Sequence, residues 1–123
     1  MEIKSYRDLR VWQSAMDLIV MIYDLSEKFP SKEVYGLTSQ IRRAAVSVPS
    51  NIAEGHTRES TKEYLHHLSI AQASLAEMET QIEISFRLKY CSQEELHRIQ
   101  TNCSSLGKQL YMLRNALQSK KSQ

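Results

Sequence analysis

Glycine and proline are scarce in this chain, with three of one and two of the other among 123 residues. Tight reversals and bulges lean on those residues, so a β-rich architecture with many turns is excluded. The same scarcity removes phosphate-cradling loops: neither a P-loop nor a dinucleotide fingerprint can be assembled from Gly36, Gly55 and Gly107. Cys91 and Cys103 are too few for a disulfide framework, and neither sits in a CxxC pattern. The longest wholly apolar run, Leu18–Tyr23, falls far short of a membrane span and is bracketed by Asp17 and Asp24. The opening MEIKSYRDLR lacks a signal-peptide pattern. These absences describe a soluble, cytoplasmic chain with no membrane partner. It reads as one domain over residues 1–123, long enough for a single core without metal or disulfide support.

Catalytic signatures are missing as well. HExxH, DxD and Cys/His clusters do not occur, and no serine lies in an elbow motif or beside an identifiable base. His56, His66, His67 and His97 are the remaining candidates for metal or acid–base work. Neighbours such as His66 and His67 point about 100° apart on a helix and do not converge on one ion. The expectation is therefore no enzyme, no metal and no cofactor.

What is present is helical periodicity, in four segments. Helix 1 is expected over about residues 8–28, with Asp8 as N-cap and Phe29-Pro30 as the stop. Its apolar residues fall into two sets at three- and four-residue steps. One is Leu9, Trp12, Met16, Ile19 and Tyr23; the other is Val11, Ala15, Leu18, Ile22, Leu25 and Phe29. A bundle helix has an outward side, so a helix apolar over most of its circumference calls for a second cover, and another copy of the chain is the simplest. Helix 2 is expected over about residues 32–56, with an irregularity near Gly36 and Pro49 inside it. Helix 3 (about 60–90) opens on the capping box Ser60-Thr61-Lys62-Glu63 and carries the stripe Tyr64, Leu68, Ala71, Leu75, Met78, Ile82. Helix 4 (about 92–118) opens on a second box, Ser92 to Glu95, and repeats Leu96, Ile99, Cys103, Leu106, Leu110, Leu113, Leu117 as heptads. Gly107, inside that helix, is read as a close approach to a neighbour. Short connections make the fold class all-α, an up-down-up-down four-helix bundle.

Two polar features do not belong to a core. Gln40, Arg43, Ser47, Asn51 and Glu54 form a stripe beside the apolar stripe Leu37, Ile41, Ala44, Val48, Ile52, and helix 3 offers Ser74, Glu77 and Gln81 at matching spacing. These residues read as a hydrogen-bonded network between the two helices that fixes register, with Arg43 offsetting Glu77 or Glu54. The alternative is a groove for a small molecule or RNA. The second feature is charge. Residues 1–95 hold 11 basic and 14 acidic side chains, whereas residues 96–123 hold five basic ones and no acid. Those five, Arg98, Lys108, Arg114, Lys120 and Lys121, are either cations suited to a helix C-terminus or contacts to RNA.

The segments YRDLRVWQSAMDL, KFPSKEVYGLTSQIRRAAVSVPSNIAEG and EYLHHLSIAQASLAEMETQIEI together resemble the bacterial "four helix bundle protein" family. Its first members are encoded inside intervening sequences of large-subunit ribosomal RNA genes and are often mislabelled as ribosomal proteins. The resemblance covers about residues 6–90, with Tyr6 where phenylalanine is usual. It implies a left-handed up-and-down bundle that assembles as a homopentameric ring, with no established catalytic residues and no agreed molecular role. A similar fold occurs in accessory proteins of diversity-generating retroelements, which are more basic pentamers that bind nucleic acid and a reverse transcriptase. The function expected is thus a non-enzymatic oligomeric scaffold with RNA or a ribonucleoprotein as candidate partner. The alternatives are a protein–protein module without nucleic-acid affinity and a retroelement accessory protein.

Overall fold

A computed structural model describes residues 2–121, and the side chains of residues 2–120. Four α-helices account for most of them, and no strand occurs among the described residues: α1 Arg10–Ser26, α2 Leu37–Thr57, α3 Thr61–Arg87 and α4 Gln93–Lys121. Single turns of 3-10 helix, Tyr6–Asp8 and Ser31–Glu33, precede α1 and α2. Each helix packs against its two neighbours around a square, with α1 beside α2 and α4, and α3 beside α2 and α4. The α2–α3 seam is the most extensive of the four and the α1–α4 seam the least.

The core is the one the periodicity describes. Ile22, Ile41, Ile52, Leu68, Ile82 and Leu110 are wholly inaccessible, each contributing about 1.5–3 kcal/mol through removal from water. On α1 the set beginning at Val11 faces inward. The other set lies on the flank: Leu9, Trp12 and Ile19 are half-buried, while Met16 and Tyr23 are exposed.

Helix ends follow local chemistry, with one correction. Asp8 does not cap α1: its carboxylate accepts from the backbone of Lys4 and Ser5, closing a box around the preceding 3-10 turn, and Leu9 enters α1 without a side-chain cap. Ser60 accepts the Glu63 N–H at 3.1 Å, and Ser92 and Glu95 cap one another reciprocally. Lys89 ends α3 in the left-handed region (φ 66°), where Tyr90 N–H bonds Ser85 O and Lys89 N–H bonds Phe86 O. That is the Schellman arrangement, built here on lysine rather than glycine.

The close helix–helix approach falls at Gly55 and not at Gly107. A Cβ at Gly107 would meet only Leu75 Cδ2, at an ordinary 3.7 Å. The close approach is at Gly55, near the end of α2, where a Cβ would lie 2.8 Å from His67 Cβ and 3.0 Å from Tyr64 Cδ1.

Candidate functional site

The tight α2–α3 seam holds a polar network. Ser47 Oγ and Ser74 Oγ lie 2.8 Å apart across it. One turn on, the Asn51 amide donates to Ser47 O at 2.9 Å and to Ser47 Oγ at 3.1 Å. A backbone carbonyl only accepts, so the NH2 of Asn51 must face Ser47 and its oxygen must face α3. There it meets His67 Nδ1 at 3.0 Å, which makes Nδ1 the donor. Glu54 stands at the mouth, 3.7 Å from the same nitrogen, with its side chain 61% exposed against 14% for His67. The bare Gly55 backbone is what admits His67 and Tyr64 this close.

Of the eight residues the spacing selects, the structure joins Ser47, Asn51 and Ser74 and leaves Glu54 at the rim. Gln81 is buried on α3, but its Oε1 has no partner among the described residues. Gln40, Arg43 and Glu77 are exposed and make no side-chain hydrogen bond or ion pair there, so the expected Arg43 pairing with Glu77 or Glu54 is absent. Their long side chains reach water from the helix flank, where pairing gains little.

Two residues outside that selection do more. His67 precedes Ser74 by one heptad and so shares its face, a spacing that identifies it once helix 3 is placed. Arg42 binds the end of α1: Nε donates to Ser26 Oγ at 2.8 Å, Nη2 to Glu27 Oε2 at 3.1 Å and to Tyr23 O at 3.3 Å. Its guanidinium also sits 4.5 Å from the Tyr23 ring centre. One side chain thus joins α2 to the end of α1 by three hydrogen bonds and a cation–π contact. At the same end of the bundle, Tyr90 Oη donates to Glu33 Oε2 at 2.8 Å and Leu37 N–H donates to Glu33 Oε1. Both bonds hold the Glu33 carboxyl below its usual range, the tyrosine first.

The basic residues of α4 do not gather. Arg98 lines the α1–α4 seam, and Lys108 faces outward beside Ser104 and Ser105. Arg114 is half-buried and bonded to Gln72, and Lys120 is exposed at the end of the helix. The side chain of Lys121 lies outside the described residues. Among those residues no group of three His, Cys, Asp or Glu is placed to hold a metal, and no helix is long and apolar enough to cross a membrane.

Chemically, the network couples two helices and holds the His67 imidazole by its Nδ1. Removing Asn51 should leave His67 Nδ1 and the serine pair short of a partner. Asn51→Ala is expected to lose about 1–3 kcal/mol in a urea titration, and Glu54→Ala to stay within about 0.5 kcal/mol of wild type. Equal losses in the two variants would place the Glu54 carboxylate inside the network instead of at its mouth.

An all-helical bundle closed by a polar α2–α3 seam is thus the class that fold and site define. The sequence profile of the 23S rRNA-intervening sequence protein family matches residues 7–112, and the chain belongs to that family. A crystal structure of a protein of unknown function from the S23 ribosomal protein family of Bacteroides thetaiotaomicron VPI-5482 has a similar fold. Its TM-score is 0.79 at 23% identity, over 85% of this chain and 97% of that one. No curated protein matches the sequence significantly.

Proposed function

We propose that the chain is a non-enzymatic, self-associating scaffold of the cytoplasm. One observation carries this reading: an apolar face on α1 and α2 that the single chain leaves open. Val20 is 60% exposed between Met16 and Tyr23 on α1, and Tyr23 borders a groove with Val34, which precedes α2, and Val46 on α2. Apolar residues gathered in this way on one face, with Arg42 and Arg43 at the edge, are the composition of a subunit contact. Contacts that join this face to a different face of the next copy run head to tail and close into a ring where the rotation between copies permits it. Five copies is the number the family resemblance implies.

Light scattering tests the reading. Wild type is expected to show a multiple of the chain mass and Val20→Asp a single chain with an unchanged helical spectrum. A monomeric wild type at micromolar concentration would overturn it. The acid-free stretch after Glu95 supports RNA as the partner, since a ring repeats Lys108 and Lys120 around its rim. Weak, sequence-independent RNA binding by the assembled wild type, falling steeply with salt, is the result expected of phosphate contacts. No binding at low salt would leave the protein-partner reading in its place.

A further inference from the structure

The least extensive seam of the bundle, between α1 and α4, contains a cavity of about 210 Å³. Its apolar lining is Met21 and Leu25 from α1 and Ile99 from α4. Four charged side chains surround that lining in alternating sign: Asp24 on α1 and Lys28 just past its end, Glu95 and Arg98 on α4. They form two rungs across the seam. The upper rung is closed, because Lys28 Nζ is paired with Glu95 and the second oxygen of Glu95 is held by Ser92 N–H. The lower rung is open. Asp24 and Arg98 lie one turn further down their helices, on the walls of the same cavity, and neither has an ion pair among the described residues.

An open rung with an anion on one wall, a cation on the other and an apolar lining matches one ligand chemistry. A molecule with a single charge satisfies one wall and leaves the other facing apolar surface. A molecule with both charged groups on one carbon presents one to each wall. The volume is below the about 300–1,000 Å³ of sites for drug-sized ligands, which restricts the occupant to a few heavy atoms beyond its charged groups. We propose that the α1–α4 cavity binds a small zwitterion, an α-amino acid with an aliphatic side chain. Its carboxylate lies against the Arg98 guanidinium, which is built to grip a carboxylate with two parallel hydrogen bonds. Its ammonium lies against Asp24, and its aliphatic chain covers Met21, Leu25 and Ile99. The closed Lys28–Glu95 rung bounds the site above and contributes no free charge.

Calorimetric titration of the full chain with L-leucine, 4-methylpentanoate and 3-methylbutylamine tests the site. The first probe carries both charges; each of the others carries one. Leucine is expected to bind saturably, and each single-charge analogue about tenfold or more weakly, the effect of losing roughly one charge-assisted contact. Arg98→Gln and Asp24→Asn are each expected to bring leucine down to the level of its analogues, while Lys62→Gln, exposed on α3, should leave it unchanged. Arg98 and Asp24 are both exposed, so these substitutions leave the fold intact, which circular dichroism verifies. Absence of saturable leucine binding, equal binding of all three probes, or unchanged binding in Arg98→Gln would each overturn the assignment.

Discussion

Replacing Gly55 with valine is expected to cost about 3 kcal/mol, a large share of the 5–15 kcal/mol that holds a domain of this kind together. The first added carbon alone meets His67 Cβ at 2.8 Å, Tyr64 Cδ1 at 3.0 Å and Tyr64 O at 3.3 Å. Two of those atoms belong to the α3 backbone or move only with it, so relief requires the helices to part. Parting them stretches the Asn51–His67 and Ser47–Ser74 bonds as well. Gly107→Ala is the control with opposite sign. Its new methyl finds only Leu75 Cδ2 at 3.7 Å, so the gain in helix propensity, about 1 kcal/mol, should appear as added stability. Urea midpoints of the three proteins, at equal slopes, read both effects. A Gly55→Val protein that unfolds at the wild-type midpoint would show that α2 and α3 do not approach this closely.

The second large effect is alkaline. Burial first, and the Glu79 carboxylate second, push the Cys103 thiol from its ordinary 9.0 up to about 12. The unfolded chain therefore releases this proton before the folded one does. Stability is whole below pH 9 and is lost progressively as pH rises toward 12. At about 1.4 kcal/mol per pH unit of separation, the full interval amounts to about 4 kcal/mol. Tyr64, whose hydroxyl is buried without a partner among the described residues, is pushed from 10.0 to about 12 by burial and adds loss in the upper part of the range. Cys103→Ala should lose about 1 kcal/mol at neutral pH through the missing sulfur, then decline more gently than wild type above pH 9. Denaturation midpoints at several pH values between 7 and 11 make the comparison, and lysine titration common to both proteins cancels in it. Parallel curves would mean that the thiol ionises in the fold without penalty.

Much of this fold is legible in the sequence because it is local. Heptads on α3 and α4 name the inward residues before any contact is known, and caps at Ser60 and Ser92 satisfy donors within one turn, the full reciprocal box forming at Ser92 and only its serine half at Ser60. The same rule misplaces Asp8, since Ser5 and Asp8 form an equally good box one turn earlier and the periodicity alone does not choose. The polar seam is legible through Ser47, Asn51 and Ser74, which share helical faces. Considering histidines only for metal or acid–base work leaves His67 out of the seam, although its heptad spacing from Ser74 places it there. Arg42 has no local signal: its partners Tyr23, Ser26 and Glu27 lie in another helix, and its neighbour Arg43 has the more suggestive spacing. The misplacement of the close approach at Gly107 instead of Gly55 has the same origin, because a glycine's reason for being small is an atom on the helix opposite.

The inequality of the four seams bears on how the chain finds its fold. Three seams join helices that follow one another, and the strongest of them, α2–α3, needs only the short link between Thr57 and Thr61 to close. Only the α1–α4 seam brings the two ends of the chain together. It therefore carries the largest single loop-closure cost of the four while returning the least contact. A topology weighted toward sequence neighbours is that of a fast folder, in which an α2–α3 hairpin can organise first and the outer helices dock onto it afterwards.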